Sequence, residues 1–163
     1  MPTAAAKTQV VKKEIDHLAT TALTAEELMQ GIVKKLNERM LKYNWVGFYM
    51  LENKSGQAPV LVLGPFVGAM TPHTRIPLNQ GICGAAASSG KTVVVDDVHS
   101  DPRYLACSIE TKSEIVAPVF VHGKVVGELD IDSHFPAAFT FADRELVEYC
   151  ANLVGKRLEA SSK

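Results

Sequence analysis

The stretch Ser113–Ser133, SEIVAPVFVHGKVVGELDIDS, reads as a β-hairpin, and its parity decides the fold. On the first limb Ile115, Ala117, Val119 and Val121 are apolar and in phase. On the second limb Val125, Gly127, Leu129 and Ile131 alternate with Glu128, Asp130 and Asp132. Successive residues of a strand point to opposite faces, so each limb offers one apolar face. Directly opposed residues share a face, so odd positions must meet odd positions. A two-residue turn would set Val121 against Lys124. A three-residue turn, His122-Gly123-Lys124, sets Val121 against Val125 and Glu114 against Asp132. The parity therefore predicts a bulged three-residue turn. It also gathers Glu114, Asp130 and Asp132 on one face. Aspartate disfavours strands, and three clustered carboxylates repel. Such a cluster persists where it holds a cation or where one member carries a proton. A solvated sheet face is the plain alternative.

Upstream, Asp96 to Lys112 is a long polar loop with His99, Pro102 and Cys107. A thiol on a loop thus precedes the carboxylates of two adjacent strands. Thr92 to Val95 reads as a short buried strand. Gly81–Ser89, GICGAAASS, is rich in small residues and opens a short helix. Cys83 falls near its start, where the positive end of the helix dipole favours a thiolate. Gly64 to Gln80 is a long Pro- and Gly-rich connection, and loops of that length are often functional. Asn44 to Leu51, NWVGFYML, is aromatic and β-branched and reads as a strand. Pro59 to Leu63 returns from a turn at Glu52–Gly56. Trp45, Gly47, Tyr49 and Leu51 share one face of the first strand; Val46, Phe48 and Met50 share the other. The Trp45/Tyr49 face carries polar tips and is the better candidate for a pocket wall; ordinary core packing is the alternative.

Helices flank this sheet. Val10 to Thr20 places Val11, Ile15 and Leu18 on one side. Thr24 and Glu27 form a capping box for a second helix running to about Leu41, with Leu28, Ile32, Leu36 and Met40 recurring every four residues. Thr140, with Asp143 as capping partner, starts a last helix whose stripe is Leu146, Cys150, Leu153, Val154 and Leu158. Cys150 sits in that stripe as an inert packing residue. The pattern describes one α+β domain over 1–163, an antiparallel sheet with helices packed on it. The N-terminal helices cover about 8–41 and the core about 44–160.

The 163 residues are 47% hydrophobic, enough for a sizeable core. Net charge is -1 with both signs dispersed, which excludes the basic surface that nucleic acid or an anionic membrane requires. No apolar run approaches the roughly 20 residues that span a bilayer. The N-terminal MPTAAAKTQVVKKEID lacks the apolar core of a secretory signal, so a cytoplasmic protein is expected. The three cysteines contain no CxxC, and the five histidines show no zinc-ligand spacing with them. No metal and no cofactor are expected.

NWVGFYML, LGPFVG, TRIPLNQGICGAA, VDDVHSDP, the AC at 106–107 followed by SEIVAPVFV, and GELDIDS resemble the free methionine-(R)-sulfoxide reductases, a family built on a single GAF domain. The likeness runs from about Asn44 to Glu148. It implies a GAF-like fold and a thioredoxin-linked oxidoreductase acting on free L-methionine (R)-sulfoxide. In that reading a thiolate attacks the sulfoxide sulfur, methionine leaves, and a sulfenic acid remains on the cysteine. A second thiol condenses with it, and a thiol reductant such as thioredoxin opens the disulfide. The resemblance makes Cys107 the nucleophile and Glu114, Asp130 and Asp132 the carboxylates that hold the substrate ammonium. Trp45 and Tyr49 would line the methyl end. Cys83 matches the family's second cysteine. His73 stands where the family has its first, often the one that closes the disulfide. Either Cys83 resolves Cys107, or an external thiol does, or the domain only binds. A small-molecule-binding or redox-sensing GAF module with little turnover is thus the alternative function. The exposed N-terminal helices offer a face for a homodimer.

Overall fold

The computed structural model describes residues 3–105 and 109–161. Along the chain lie α1 (Ala4–Thr21), α2 (Ala25–Arg39), β1 (Trp45–Glu52), β2 (Val60–Val67), β3 (Arg75–Pro77), α3 (Gly81–Ser89), β4 (Val93–Val95), β5 (Ser113–Val121), β6 (Lys124–Ser133) and α4 (Phe141–Ser161). A single 3-10 turn, Val98–Ser100, follows β4. The six strands form one antiparallel sheet in the order β3-β2-β1-β6-β5-β4. Among the described residues, no helix is long and apolar enough to cross a membrane.

The caps read from the sequence are present. Thr24 Oγ1 accepts from Glu27 N at 3.1 Å, and Glu27 reaches back to Leu23 N at 3.0 Å. Asp143 accepts from Thr140 N at 2.8 Å and starts α4. Helix α1 begins earlier than the apolar pattern indicates, because Thr3 caps Ala6 N and an alanine run extends the helix.

Alternation sorts the side chains between two cores. Val46 and Phe48 of β1, Ile115, Ala117 and Val119 of β5, and Leu129 and Ile131 of β6 pack with α1, α2 and α4. The stripe Leu28, Ile32, Leu36 of α2 and Leu146, Cys150, Val154 of α4 closes that core. On the opposite face Trp45, Tyr49, Leu61, Ile76, Val95 and Val116 pack with Ile82, Cys83 and Ala86 of α3.

Two expectations are corrected. The β5–β6 turn has two residues, not three: Val121 pairs with Lys124. His122 and Gly123 both take positive φ, 50° and 77°, the left-handed pair whose twist suits a tight hairpin. Parity is restored further along by a bulge, since Phe120 pairs with Val125 but Val119 with Gly127. Glu114 still lies opposite Asp132. The Gly64–Gln80 connection is also shorter than expected. β2 continues to Val67, and β3 forms within the supposed loop. Pro65 is tolerated there because β2 bulges between its pairings Tyr49–Leu63 and Gly47–Phe66.

Candidate active site

The sheet register builds the site in rows. Asp132 of β6 lies between Trp45 of β1 and Glu114 of β5. Asp130 lies between Gly47 and Val116, and Glu128 between Tyr49 and Pro118. All three acids of β6 therefore point to the α3 side. The solvated-face alternative is excluded: Glu114 is 6% exposed, Asp130 4%, Asp132 6% and Glu128 0%. From α3, the Cys83 thiol donates to Asp130 Oδ2 at 3.3 Å.

Trp45 and Tyr49 occupy the same face with different partners. Gly47 leaves the space that the Trp45 ring fills; a Cβ there would sit 2.4 Å from the indole. The indole N–H donates to Ala69 O at 3.0 Å, and the ring stacks on Phe66. Trp45, Asn44, Thr71, Thr111, His134 and Asp132 line a cavity of about 140 Å³. That is several waters' worth of space, below the roughly 300–1,000 Å³ of clefts for drug-sized ligands. Tyr49 is 1% exposed, and its hydroxyl donates to His73 O at 2.7 Å. It borders a smaller void of about 20 Å³ with Cys83, Leu105, Glu114 and Asp130. Its polar tip is thus engaged by backbone rather than open to a pocket. Larger concavities lie between α4 and the Gly90–Thr92 segment, and between α2 and β2. Neither holds a thiol or a buried carboxylate among the described residues.

Electrostatics set this face apart. Burial pushes Glu114 well above the usual carboxylate range, and the charges of Asp130 and Asp132 push it further. Burial, then Asp130, does the same to Asp132. Glu128 is raised well, chiefly by burial. Asp130 is raised too, but hydrogen bonds from Glu114 and Cys83 oppose its burial. Glu114, between two aspartates, is therefore the natural holder of a shared proton, and Asp130 the readiest to keep a charge. Cys83 departs from expectation. Its thiol is pushed well up, first by burial and then by Asp130, Glu128 and Glu114. The start of α3 does not make it a thiolate, because loss of water and nearby carboxylates outweigh the helix dipole. Cys150 is fully buried in the helix-side core, and burial raises its thiol strongly.

The structure brings Cys83, Glu114, Asp130, Asp132, Trp45 and Tyr49 to one face. Cys107, expected as the nucleophile, lies outside the described residues. The flanking described residues Leu105 and Thr111 border the smaller and larger void respectively. Glu128 was assigned no role from sequence, yet it is the most buried acid of the face. Its phase with Asp130 and Asp132 was the available signal. One ligand atom each from Cys83, Glu114 and Asp130 lies within 4.8 Å of the others.

A GAF domain model matches residues 24–158. The free methionine-R-sulfoxide reductase of Escherichia coli is 38% identical over 132 residues, 81% of this chain and 72% of that protein. A solved structure of the free methionine-R-sulfoxide reductase of Neisseria meningitidis in complex with its substrate aligns with a TM-score of 0.90 and 36% identity. It covers 99% of this chain and 94% of that one. The type II free methionine-R-sulfoxide reductase of Thermoplasma acidophilum aligns at 0.77 and 40% identity, over 83% of this chain and 93% of its own.

Proposed function

The chain belongs to the free methionine-R-sulfoxide reductases, within the GAF domain family, and from that premise we propose that it reduces free L-methionine (R)-sulfoxide with Cys107 as nucleophile. One observation carries the reading. Glu114, Asp130 and Asp132 are buried side by side, Asp132 lining the cavity of about 140 Å³ and Glu114 and Asp130 the void of about 20 Å³, and no cationic side chain pairs with them among the described residues. An ammonium group supplies the missing charge and the missing donors. Trp45 would then bound the sulfur end of the ligand, and Tyr49 would hold the His73 segment in place.

The reaction balances within these groups. The Cys107 thiolate attacks the sulfoxide sulfur while a proton from Glu114 reaches the sulfoxide oxygen. The oxygen passes to Cys107 as a sulfenic acid, and methionine departs reduced by two electrons. Cys83 then condenses with that sulfenic acid, forming a disulfide and releasing water. Asp130, in hydrogen-bond contact with Cys83, takes the thiol proton as the sulfur attacks and returns it to the departing hydroxyl, which leaves as that water. A dithiol reductant of the thioredoxin kind reopens the disulfide. With His73 at the family's first cysteine position, Cys83 is the candidate resolving thiol. Pairing of two copies through the N-terminal helices belongs to the same proposal.

The test counts methionine formed per chain from each sulfoxide epimer, with and without a thioredoxin system. Multiple turnovers on the R epimer, abolished by Cys107→Ser, are expected. A single stoichiometric burst that thioredoxin does not extend would favour the binding or sensing module. An unchanged rate in Cys107→Ser would overturn the assignment of that residue.

A further inference from the structure

We propose that Cys83, Glu114 and Asp130 also form a site for a thiophilic divalent cation, of the zinc or cadmium type, which occupies the acidic pocket when no amino acid does. Their ligand atoms lie within 4.8 Å of one another, and Cys83 Sγ is already 3.3 Å from Asp130 Oδ2. Metal–sulfur and metal–oxygen bonds of about 2.0–2.3 Å need ligand atoms only about an ångström closer than that outer limit. The three residues stand on α3, β5 and β6, so rotamer adjustments suffice and no loop need fold over the ion.

A second observation points to a ligand here. Asp130 Oδ1 and the adjoining Asp132 Oδ1 are buried without a hydrogen-bond partner among the described residues, in side chains more than nine-tenths buried. Buried carboxylate oxygens in that state demand a positive partner. An ammonium group satisfies the carboxylates but makes little use of the sulfur. A thiophilic cation uses both. Magnesium and calcium fit poorly, because they require six or more oxygen ligands and gain nothing from a thiol. On binding, the metal–sulfur bond replaces the Cys83 S–H bond, the proton leaves to solvent, and no electron is transferred.

This goes beyond the proposed reaction and does not depend on it. Where that reaction holds, the ion competes with the substrate ammonium for Glu114 and Asp130 and ties up the thiol that would resolve Cys107. The protein would then be inhibited by traces of such metals unless substrate is present.

The test uses the full chain carrying Cys107→Ser, reduced and freed of metal by a chelator. Cadmium chloride is added and the ultraviolet sulfur-to-cadmium charge-transfer band is followed. One cadmium per chain with that band is expected. Adding Cys83→Ser should remove the band, with unchanged circular dichroism confirming the fold. Asp130→Asn should retain the band but weaken binding at least about tenfold. A band that survives Cys83→Ser, or cadmium binding that Asp130→Asn leaves unchanged, overturns the site. Free methionine sulfoxide should raise the cadmium concentration needed. If it does not while the band behaves as expected, the metal site stands and the ammonium reading falls.

Discussion

The two faces of the sheet are made by the same strands and could hardly differ more. On the helix side of β6, Leu129 and Ile131 meet Val46, Phe48 and Ile115 in an apolar core. One residue along, on the other side, Glu128, Asp130 and Asp132 are equally buried but each keeps at least one carboxylate oxygen without a hydrogen-bond partner among the described residues. A period of two lets one strand hold the fold together with one set of side chains and hold an unfavourable charge cluster with the next. Stability and recognition are thereby placed on opposite sides of a shared backbone. The first face should tolerate no loss of volume. The second should gain stability when its charges are removed.

The sharpest test pairs a substitution on each face. Leu129→Ala removes a fully buried side chain and should cost about 2–5 kcal/mol in chemical denaturation, with kcat/KM for methionine sulfoxide nearly unchanged in the folded fraction. Asp132→Asn should do the reverse. It relieves repulsion with Glu114 and Asp130, so the substrate-free protein should be more stable by about 1 kcal/mol or more. It also removes an anionic acceptor for the ammonium, so kcat/KM should fall about 10- to 100-fold, the worth of a hydrogen bond to a charged group. If Asp132→Asn lowers both stability and activity, the acidic face is a structural network and the contrast between faces fails.

Much of this contrast was legible in the sequence. Alternation alone separated Val46 and Phe48 from Trp45 and Tyr49, and Leu129 and Ile131 from the acids. The turn was not legible, because a two-residue loop followed by a bulge at Val126 reaches the same parity as a three-residue loop, and nothing local marks the bulge. β2 was cut short at Leu63 because Gly64-Pro65 reads as a break; only the bulge against Phe48 shows how a strand passes through it. Cys83 was misjudged for a different reason. Its position near a helix start is local information, but its environment comes from β5 and β6, which lie far along the chain. Glu128 was visible in phase with its neighbours, yet its depth follows from the closure by β1 and β5.

The acidic face should also set the pH dependence of stability. Glu114, Asp132 and Glu128 have folded-state values raised well above the usual range by burial, against about 4 when unfolded. Between those limits the folded state binds more protons than the unfolded one. Stability therefore falls as pH rises through that window, by about 1.4 kcal/mol for each unit of difference at each group. Glu52, Asp97 and Asp101, outside the buried cluster, are shifted the other way by their partners, and they matter only below about pH 4. Substrate-free protein should thus melt higher at about pH 5 than at about pH 8, and Glu114→Gln should flatten the slope. Equal melting at both values would mean that the cluster is not protonated in the fold.

The smallest effect separates packing from recognition within the acidic face itself. Tyr49 sits among the site residues, but its hydroxyl donates to the His73 carbonyl. Tyr49→Phe leaves the ring in its contacts with Trp45 and deletes one hydrogen bond, so stability should drop by about 1 kcal/mol. The carboxylates proposed to hold the substrate ammonium are untouched, so KM should change less than about threefold, well short of the effect of losing a bond to a charged group. A much larger rise in KM with stability unchanged would assign the hydroxyl to the ligand, and would move the boundary between the two roles from the sheet's midplane into its acidic side.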